Sequence, residues 1–382
     1  MNGPGDANRL PGQPTFGTIG ESDLGEVADF LARQARPGEA SGTSRMSPER
    51  RLRWLLAENP ARVDGVPFGW SVRDPAGRLV GTLLCVPLRV AVCGGVGAEG
   101  GDGRGEGVTC TALMSCKFFV DAPYRGAGLV PFRSYLRLAA AHPLFCTSAN
   151  ALSGELFTQA GGHAIAGTDH TMLGVRRPAP LAEEWARRRV GGAGRSAAAV
   201  ARVLALPLRV VRRSVAPRRR PGERGGGLTL LNSVDDLSTF RLAPSTGAVT
   251  VVRDEPYLRW RYFSGESAAE VYRFQFAGEP DRLLVIDTLR AGYRSQIRVL
   301  NVLDLWPPAA PECAPALAAA LAERFEPRFD AIWLRGQPTE AETVLKSAGW
   351  LRHDFPAPLG WCVDRHNVFP TRHWYLMPGQ SE

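Results

Sequence analysis

The chain has 382 residues, of which 44% are apolar, and this is enough to build the cores of two or three domains. Its seven cysteines include no C-x-x-C pair, so the sequence fits neither a zinc site nor a disulfide framework, and we predict no metal. The formal net charge of +8 arises in one segment, because residues 176–224 carry fourteen arginines and three glutamates.

Residues 1–20 are rich in glycine, proline and polar residues and are predicted to be disordered. They contain no apolar core of a signal peptide. No uncharged apolar run in the chain approaches the roughly 20 residues of a membrane span. We therefore expect a cytoplasmic protein.

Two helices and three strands are predicted first. Residues 22–36 carry apolar side chains at helical spacing, and Ser47-Pro48-Glu49 begins a second helix with a cap, an early proline and an acid. Pro60 ends that helix. The hydrophobic period then shifts toward two, which predicts strands at 68–72, 79–92 and 108–120, with a glycine-rich hairpin tip at 94–107.

The rest of the first half alternates between helices and strands. A glycine-containing loop after residue 120 leads into a helix that runs to about His142. A strand at 144–147 and a helix at 152–160 follow. Residues 163–175 are predicted to form a last hairpin or strand pair.

A basic linker at 178–227 is followed by a second series of helices and strands in the same order. Glu255-Pro256 begins a helix, and the later elements are strands at 271–276, 283–289, 296–305, 331–334 and 350–363 with helices at 313–325 and 340–348. Leu258-Arg259-Trp260 echoes Leu52-Arg53-Trp54. We infer two tandem domains of one type, residues 21–177 and 228–382.

The most informative segment joins the strand that ends at Val120 to the helix that begins near Leu129. It places several backbone N–H groups at a helix start, with Arg125 beside them, and such a site favours a phosphate or pyrophosphate. The local pattern is not specific, because many short glycine-rich turns bind nothing. It is neither a Walker loop, since no Gly-Lys-Ser/Thr follows, nor a G-x-G-x-x-G dinucleotide fingerprint.

The run from Val120 to Leu129, with Arg125-Gly126-Ala127-Gly128 at its centre, resembles the pyrophosphate loop R-x-x-G-x-G/A of the GNAT superfamily of acyl-CoA N-acyltransferases. Thr147-Ser148-Ala149-Asn150 and Leu156-Phe157 resemble the strand and helix that follow in that family. The resemblance is good over residues 22–177 and weaker over 228–373. It implies an α/β fold with mixed sheets, built as two tandem GNAT-like domains.

In this family the fourth and fifth strands splay apart, and the pantetheine arm of acyl-CoA fills the gap like an added strand. The resemblance implies that Phe119 and Val120 pair with pantetheine and that Asn150 contacts the cofactor beyond the fifth strand. The implied pyrophosphate site consists of backbone N–H groups at Arg125, Gly126, Ala127, Gly128, Leu129 and Val130. The implied co-substrate is acetyl-CoA or another acyl-CoA, and the implied reaction is transfer of the acyl group to a primary amine.

Several residues depart from the family pattern. Val130 stands where glycine or alanine is usual, and Pro131 removes one N–H donor from the helix start. Phe157 replaces the tyrosine that often protonates the leaving thiolate, and residues 109–120 include no Asp or Glu as a base. General acid–base assistance is worth about 10²–10⁴ in rate. In the second half, Trp306-Pro307-Pro308 replaces the glycines, so we predict that this half binds no acyl-CoA.

Three residues are candidates for a catalytic role, each with a simpler alternative. His163 and His170 are possible bases, but a solvated or core histidine is the better interpretation of each. Asp169 precedes His170, but adjacent residues of a strand point to opposite faces, so it is not expected to orient the ring. Tyr124 is a possible phenolic acid, and packing beside the loop is its alternative.

The basic linker supports a rival class of function. Residues 196–220 mix Val and Leu with arginines and could lie on an anionic membrane surface. Nucleic acid is a weaker alternative, because no aromatic residues interleave with the arginines. A solvated tether is the simplest reading. The sequence thus predicts an N-acyltransferase acting on an amine, with an amino sugar as first candidate, or an inactive GNAT-fold scaffold at a membrane.

Overall fold

The computed structural model describes the following residues: 13–34, 46–92, 108–182, 227–239, 249–264, 267, 269–276, 281–290, 297–307, 313–325, 328–335, 339–347, 349–365 and 374–375. The predictions for the linker segment 196–220 and for the hairpin tip at 94–107 lie outside the described residues.

The first half begins with a strand and two helices and continues into long antiparallel strands. In chain order its elements are β1 (Thr15–Ile19), α1 (Leu24–Gln34), α2 (Pro48–Leu56), β2 (Gly69–Arg73), β3 (Leu79–Val92), β4 (Val108–Val120), α3 (Leu129–Arg137), β5 (Leu144–Cys146), α4 (Ala151–Gln159), β6 (His163–Ala164) and β7 (His170–Val175). The Ser47 hydroxyl caps α2 by accepting a hydrogen bond from the N–H of Arg50, as the sequence predicts.

The second half repeats this order with shorter connections. Its elements are β8 (Gly227–Leu231), β9 (Val249–Val251), α5 (Glu255–Tyr262), β10 (Glu270–Gln275), β11 (Arg282–Arg290), β12 (Arg298–Trp306), α6 (Ala314–Phe325), β13 (Ala331–Arg335), α7 (Thr339–Ser347), β14 (Leu351–Asp354), β15 (Trp361–Val363) and β16 (Trp374–Tyr375). None of the described helices has the length and apolar composition needed to cross a membrane.

The strands form two mixed sheets, which confirms the predicted fold class. The first sheet has the order β1-β2-β3-β4-β5-β15-β6, with β9 paired to β3 and β16 paired to β9. The second has the order β8-β10-β11-β12-β13-β7-β14. Strands β4 and β5 are parallel, as are β12 and β13, while the pairs on either side of them are antiparallel.

The two sheets exchange equivalent strands. The last strand of the first half, β7, lies between β13 and β14 of the second sheet. Strand β15 of the second half lies between β5 and β6 of the first sheet. Each sheet is therefore completed by the other half, and the sequence division at residues 177 and 228 does not coincide with the division between the sheets.

Two sequence predictions are wrong. Residues 163–175 form no hairpin, because β6 pairs with β15 while β7 pairs with β13 and β14. The predicted disorder of residues 1–20 fails for Thr15–Ile19, which pair with β2 along their whole length. Three β-branched residues and one aromatic in that strand outweigh its glycine, and the edge of β2 supplies the hydrogen bonds.

The halves meet through a pair of tryptophans at equivalent positions. The indole N–H of Trp54 on α2 donates to the carbonyl of Trp260 on α5 at 2.9 Å, and that of Trp260 donates to the carbonyl of Trp54 at 2.8 Å. Their ring centroids are 5.3 Å apart. Such reciprocal bonding is the pattern of a two-fold interface, so it supports the inferred tandem repeat.

A buried ion pair adds a second connection between the sheets. Arg253, which follows β9 of the first sheet, pairs with Asp304 on β12 of the second through two bonds of 2.8 and 2.9 Å. Tyr262 donates to the same carboxylate at 3.0 Å. Both charged side chains are almost fully buried, so removing either partner would leave an uncompensated charge.

Candidate functional site

The site is built around a gap between β4 and β5. The thirteen-residue β4 is paired with the three-residue β5 at two positions, Leu113 opposite Leu144 and Met114 opposite Phe145. Among the described strands, none pairs with the β5-facing edge of β4 over residues 115–120. Unpaired backbone of this kind can receive an extended ligand as an added strand. The pairing of β4 with β5 thus ends after Met114 and Phe145, where the resemblance implies that the two strands separate.

The hydroxyl of Tyr135 lies where the two strands part. It donates to the carbonyl of Leu113 on β4 at 2.6 Å and lies 3.1 Å from the carbonyl oxygen of Phe145 on β5. Burial raises the pKa of this phenol well above its ordinary value. Our sequence analysis missed Tyr135, although a tyrosine on the apolar face of a helix needs a hydrogen-bond partner, which is a usable signal.

A β-bulge interrupts β4 beside the gap. The register with β3 shifts, so that Thr82 faces Phe119 while Leu84 faces Cys116. Lys117 within the bulge has φ 50°, a left-handed conformation that is uncommon for residues other than glycine. The hydroxyl of Thr82 donates to the Lys117 carbonyl at 3.1 Å. Bulges redirect strand residues and are frequent beside active sites, but no motif marks Lys117 in the sequence.

The predicted pyrophosphate loop forms a 3-10 helix, Ala122–Gly128, that runs directly into α3. In such a helix each N–H points to the carbonyl three residues earlier, as the Tyr124 N–H does toward Asp121 at 2.8 Å. The N–H of Leu129 bonds to the carbonyls of Gly126 and Ala127. These amides therefore have internal acceptors, and an anion would have to share or replace the poorly aligned bonds of a 3-10 helix.

Asp121 fixes the loop to the rest of the first half. Its carboxylate accepts a hydrogen bond of 2.7 Å from the side-chain amide of Gln34 at the end of α1. Its own N–H donates to the carbonyl of Val80 on β3 at 2.8 Å. Asp121 thus holds the loop against α1 and β3.

A side chain would meet different surroundings at the two glycines of the loop, Gly126 and Gly128. A Cβ at Gly128 would lie 3.0 Å from the Cγ2 atom of Val120 and 3.4 Å from the Phe118 ring, so the loop packs closely on β4. A Cβ at Gly126 would meet no atom within 4 Å. Gly128 is therefore needed for packing, whereas Gly126 faces open space where a ligand can approach.

Apolar side chains at the end of β4 and at the start of α3 have substantial exposure. Phe119 and Leu129 are each 41% exposed, and Val130 is 39% exposed. Val130, where the family pattern has a small residue, points outward and is exposed. Arg125 lies beside them and is also exposed. Most of the cofactor residues implied by the resemblance therefore lie at the end of β4 and in the loop and helix start that follow it.

Two further positions of the family pattern have structural partners. The side chain of Asn150 caps α4 by accepting from the N–H of Ser153 at 2.9 Å, and the Ser153 hydroxyl accepts from the N–H of Asn150. Phe157 is buried, with its ring edge-on to Phe132 at 5.2 Å between centroids. Asn150 remains exposed near the fifth strand, whereas Phe157 offers no proton for a thiolate.

His170 is held by carboxylates at both ring nitrogens. Its Nδ1 atom lies 2.7 Å from Asp169, and its Nε2 atom contacts Glu342 on α7. Arg352 lies within 4 Å of both carboxylates. The expectation that Asp169 cannot orient its neighbour is wrong, because β7 begins at His170 and Asp169 precedes the regular pleat. A buried ring occupied at both nitrogens has no site for a substrate amine.

The contacts of the other two catalytic candidates, His163 and Tyr124, assign neither of them a catalytic role. The Nε2 atom of His163 is buried with no hydrogen-bond partner in the described structure, and its strand β6 is separated from β5 by β15. Tyr124 is partly exposed within the loop itself. Of the three candidates, Tyr124 is the one that the structure places at the proposed donor site.

The cysteines near the gap are buried thiols. Burial raises the pKa of Cys116 to about 11 and that of Cys146 to about 12, which disfavours the nucleophilic thiolate. Among the described residues no group of His, Cys, Asp and Glu is arranged to hold a metal ion.

No protein-family model matches the sequence, and no curated protein matches it. Solved structures give distant likenesses. The Saccharomyces cerevisiae N-myristoyltransferase with bound myristoyl-CoA and inhibitors is 12% identical, with 94% of this chain and 81% of that chain covered and a TM-score of 0.49. A GCN5-related N-acetyltransferase from Anabaena variabilis is 9% identical, with 92% and 72% covered and a TM-score of 0.48.

Similarities this weak support no conclusion about activity. The fold class is inferred from the order and direction of the strands in the two sheets. The first sheet has four antiparallel strands, then a parallel fifth strand that diverges from the fourth beside a glycine-containing loop and helix. The second sheet repeats the order. This strand order, present in both sheets, is the one that the resemblance to the tandem, two-domain GNAT acyl-CoA N-acyltransferases predicts.

Proposed function

We propose that the protein is an N-acyltransferase whose first half holds an acyl thioester and transfers the acyl group to a primary amine. The observation that carries this proposal is the divergence of β4 from β5 beside the loop that contains Gly126. An extended pantetheine arm can pair with the free edge of β4, and its phosphate end would then reach the loop. Acetyl-CoA is the first donor to test.

The residues at the gap would act mainly by positioning. The edge of β4 would align the thioester, and Tyr135 keeps the strands at a fixed separation where they part. In the reaction a C–N bond forms, the C–S bond breaks, and the proton of the amine is lost as the thiolate gains one. Tyr124 is the candidate for a protonating group, because it lies within the loop.

The identity of the amine that accepts the acyl group is a separate part of the proposal. An amino sugar stays the first candidate and a peptide or other small amine the second. A thiol-release assay with acetyl-CoA and a panel of amines tests this choice. Contact of the basic segment 196–220 with a membrane surface stays a proposal, because this segment lies outside the described residues.

A non-catalytic scaffold is the second candidate function. The internal hydrogen bonds of the loop favour it, because the amides at 125–129 have acceptors of their own. The occupied nitrogens of His170 and the buried ring of Phe157 also favour it, since neither can serve as base or acid. The scaffold reading requires that the gap bind no acyl thioester.

Calorimetry with acetyl-CoA separates the two functions. Binding to the full chain is expected, together with at least a tenfold loss in affinity for Gly126→Glu, because a carboxylate would face the phosphates in open space. Gly227→Glu is the matched control, since its Cβ also meets no atom within 4 Å, on the far edge of the second sheet. No heat at millimolar acetyl-CoA, or equal loss in both variants, would favour the scaffold.

A further inference from the structure

The surface next to the gap carries cations without compensating acids. Residues 122–154 contain three arginines and no Asp or Glu. The arginines are Arg125 in the loop and Arg133 and Arg137 one turn apart on α3, and all three are exposed. Asp121, the acid just before this segment, is engaged by Gln34.

Exposed arginines elsewhere in the described structure are commonly paired with carboxylates. Examples are Arg50 with Glu58, Arg73 with Glu26, Arg78 with Asp74, Arg89 with Asp254 and Arg259 with Glu255. Within the described residues, Arg125, Arg133 and Arg137 take part in no ion pair. Their charge is therefore available to a partner.

The extent of this surface exceeds what one small anion can contact. A helix rises 1.5 Å per residue, so Arg137 lies about 12 Å along α3 from Leu129 at its start. The exposed side chains of Phe119, Leu129 and Val130 lie at the loop end of the same surface. Exposed apolar side chains next to unpaired cations are typical of a surface that binds an acidic macromolecule.

We propose that the acyl donor is delivered by an acidic carrier protein, which docks on Arg125, Arg133 and Arg137 and inserts its 4′-phosphopantetheine arm between β4 and β5. This inference rests on the proposed N-acyltransferase function and names its donor. The carrier's arm has the same pantetheine as acyl-CoA but one phosphodiester instead of a diphosphate. Fewer N–H donors suffice for it, which agrees with a loop whose amides are partly occupied and whose helix start contains Pro131.

The chemistry is the same with either donor. The acyl carbon leaves the thioester sulfur of the carrier's arm and bonds to the amine nitrogen, and the amine proton balances the released thiolate. What differs is the docking energy, which comes from opposite charges outside the gap and weakens as salt is added.

Binding of a purified acidic acyl carrier protein to the full chain tests the proposal. Fluorescence anisotropy compares the carrier with its phosphopantetheine arm and without it, at 20 mM and at about 150 mM salt. The armed carrier is expected to bind more tightly than the bare one and to weaken with salt. The double variant Arg133→Ala, Arg137→Ala is expected to bind it about tenfold more weakly.

Controls separate this inference from the proposed function. Arg78→Ala, Arg259→Ala removes two exposed charges elsewhere and is expected to leave carrier binding unchanged. Acetyl-CoA affinity is expected to be the same in both double variants. Equal loss of carrier binding in the two variants, or loss of acetyl-CoA affinity in Arg133→Ala, Arg137→Ala, would overturn the docking surface. Acetyl-CoA binding without carrier binding would overturn the inference alone, and binding of neither would overturn both proposals.

Discussion

At the scale of single residues, Tyr135 does most to keep β4 and β5 apart. Its hydroxyl donates to the carbonyl of Leu113 and lies within hydrogen-bond distance of that of Phe145, so Tyr135→Phe removes a donor inside the core. We expect the free energy of unfolding to fall by about 0.5–1.5 kcal/mol, the net contribution of one typical hydrogen bond. Urea denaturation followed by fluorescence measures the change.

Tyr124→Phe is the control for this substitution. Tyr124 is partly exposed, and its hydroxyl is not required by any buried group of the described structure. Its loss is expected to change the free energy of unfolding by less than about 0.5 kcal/mol. Equal destabilisation by the two substitutions would show that Tyr135 does not have the role that its contacts indicate.

Asp169 gives a pH-dependent prediction at the same scale. Burial opposes its ionisation, but hydrogen bonds from His170 and the backbone, with the charges of His170 and Arg352, lower its pKa below the ordinary 3.8. A depressed pKa stabilises the fold above pH of about 4, and this contribution disappears as pH falls through the folded-state value. Asp169→Asn should therefore be less stable than wild type at pH 7, with the difference closing below pH 4.

The effect of Asp169→Asn should stay below about 1 kcal/mol, because the carboxylate is half exposed and solvent screens it. Chemical denaturation from pH 3 to pH 7 measures it. Asp235→Asn, in a more exposed pair with Arg259, is the control. A difference in the free energy of unfolding between wild type and Asp169→Asn that grows as the solution is acidified would contradict this prediction.

Some residue roles could be predicted from the sequence and others could not. The loop from Arg125 to Gly128 was found because its glycines and position form a local pattern. Tyr135 and Lys117 were missed because their roles depend on partners in other strands, the carbonyls of Leu113 and Phe145 for one and the register with β3 for the other. Asp169 was judged on strand alternation alone, and the contact of His170 with Glu342, 172 residues away, was not foreseeable.

At the scale of elements, α2 and α5 dock through one reciprocal pair. Trp54→Phe and Trp260→Phe each remove one indole donor and leave one buried carbonyl without its partner. Each is expected to destabilise the fold by about 1–3 kcal/mol. The double variant is expected to depart from additivity by about 0.5–3 kcal/mol, because the two rings contact each other.

A cycle built on Trp70→Phe and Trp260→Phe is the control for this coupling. Trp70 lies on β2 with its ring edge-on to Tyr135, on the α3 side of the first sheet and away from α5. Those two changes are expected to add within about 0.5 kcal/mol. Additivity in the Trp54 and Trp260 cycle, or coupling in the control cycle, would argue against a specific tryptophan pair.

The bounds of elements were predictable where the local pattern is strong. Strands β3 and β4 begin and end at the predicted residues, because long apolar and β-branched runs leave little choice. The pairing of β6, β7, β14 and β15 was not predictable, since short strands with similar patterns can join either sheet. Strand β9 was missed as well, because three residues carry no periodicity.

At the scale of the whole molecule, the strand exchange has a thermodynamic consequence. The first sheet needs β15 to connect β5 with β6, and the second needs β7 to connect β13 with β14. Neither half can therefore unfold while the other keeps its complete sheet. A tandem repeat joined by a linker would ordinarily allow two independent transitions, but here the exchange couples them.

We therefore expect one cooperative unfolding transition, with equal calorimetric and van't Hoff enthalpies, in differential scanning calorimetry of the full chain. A substitution in either half should move that same transition. Tyr135→Phe tests the first half, and Leu321→Ala on α6, at a fully buried position, tests the second with a loss of about 2–5 kcal/mol. Two heat-absorption peaks, each moved by only one of these substitutions, would show that the exchanged strands do not couple the halves.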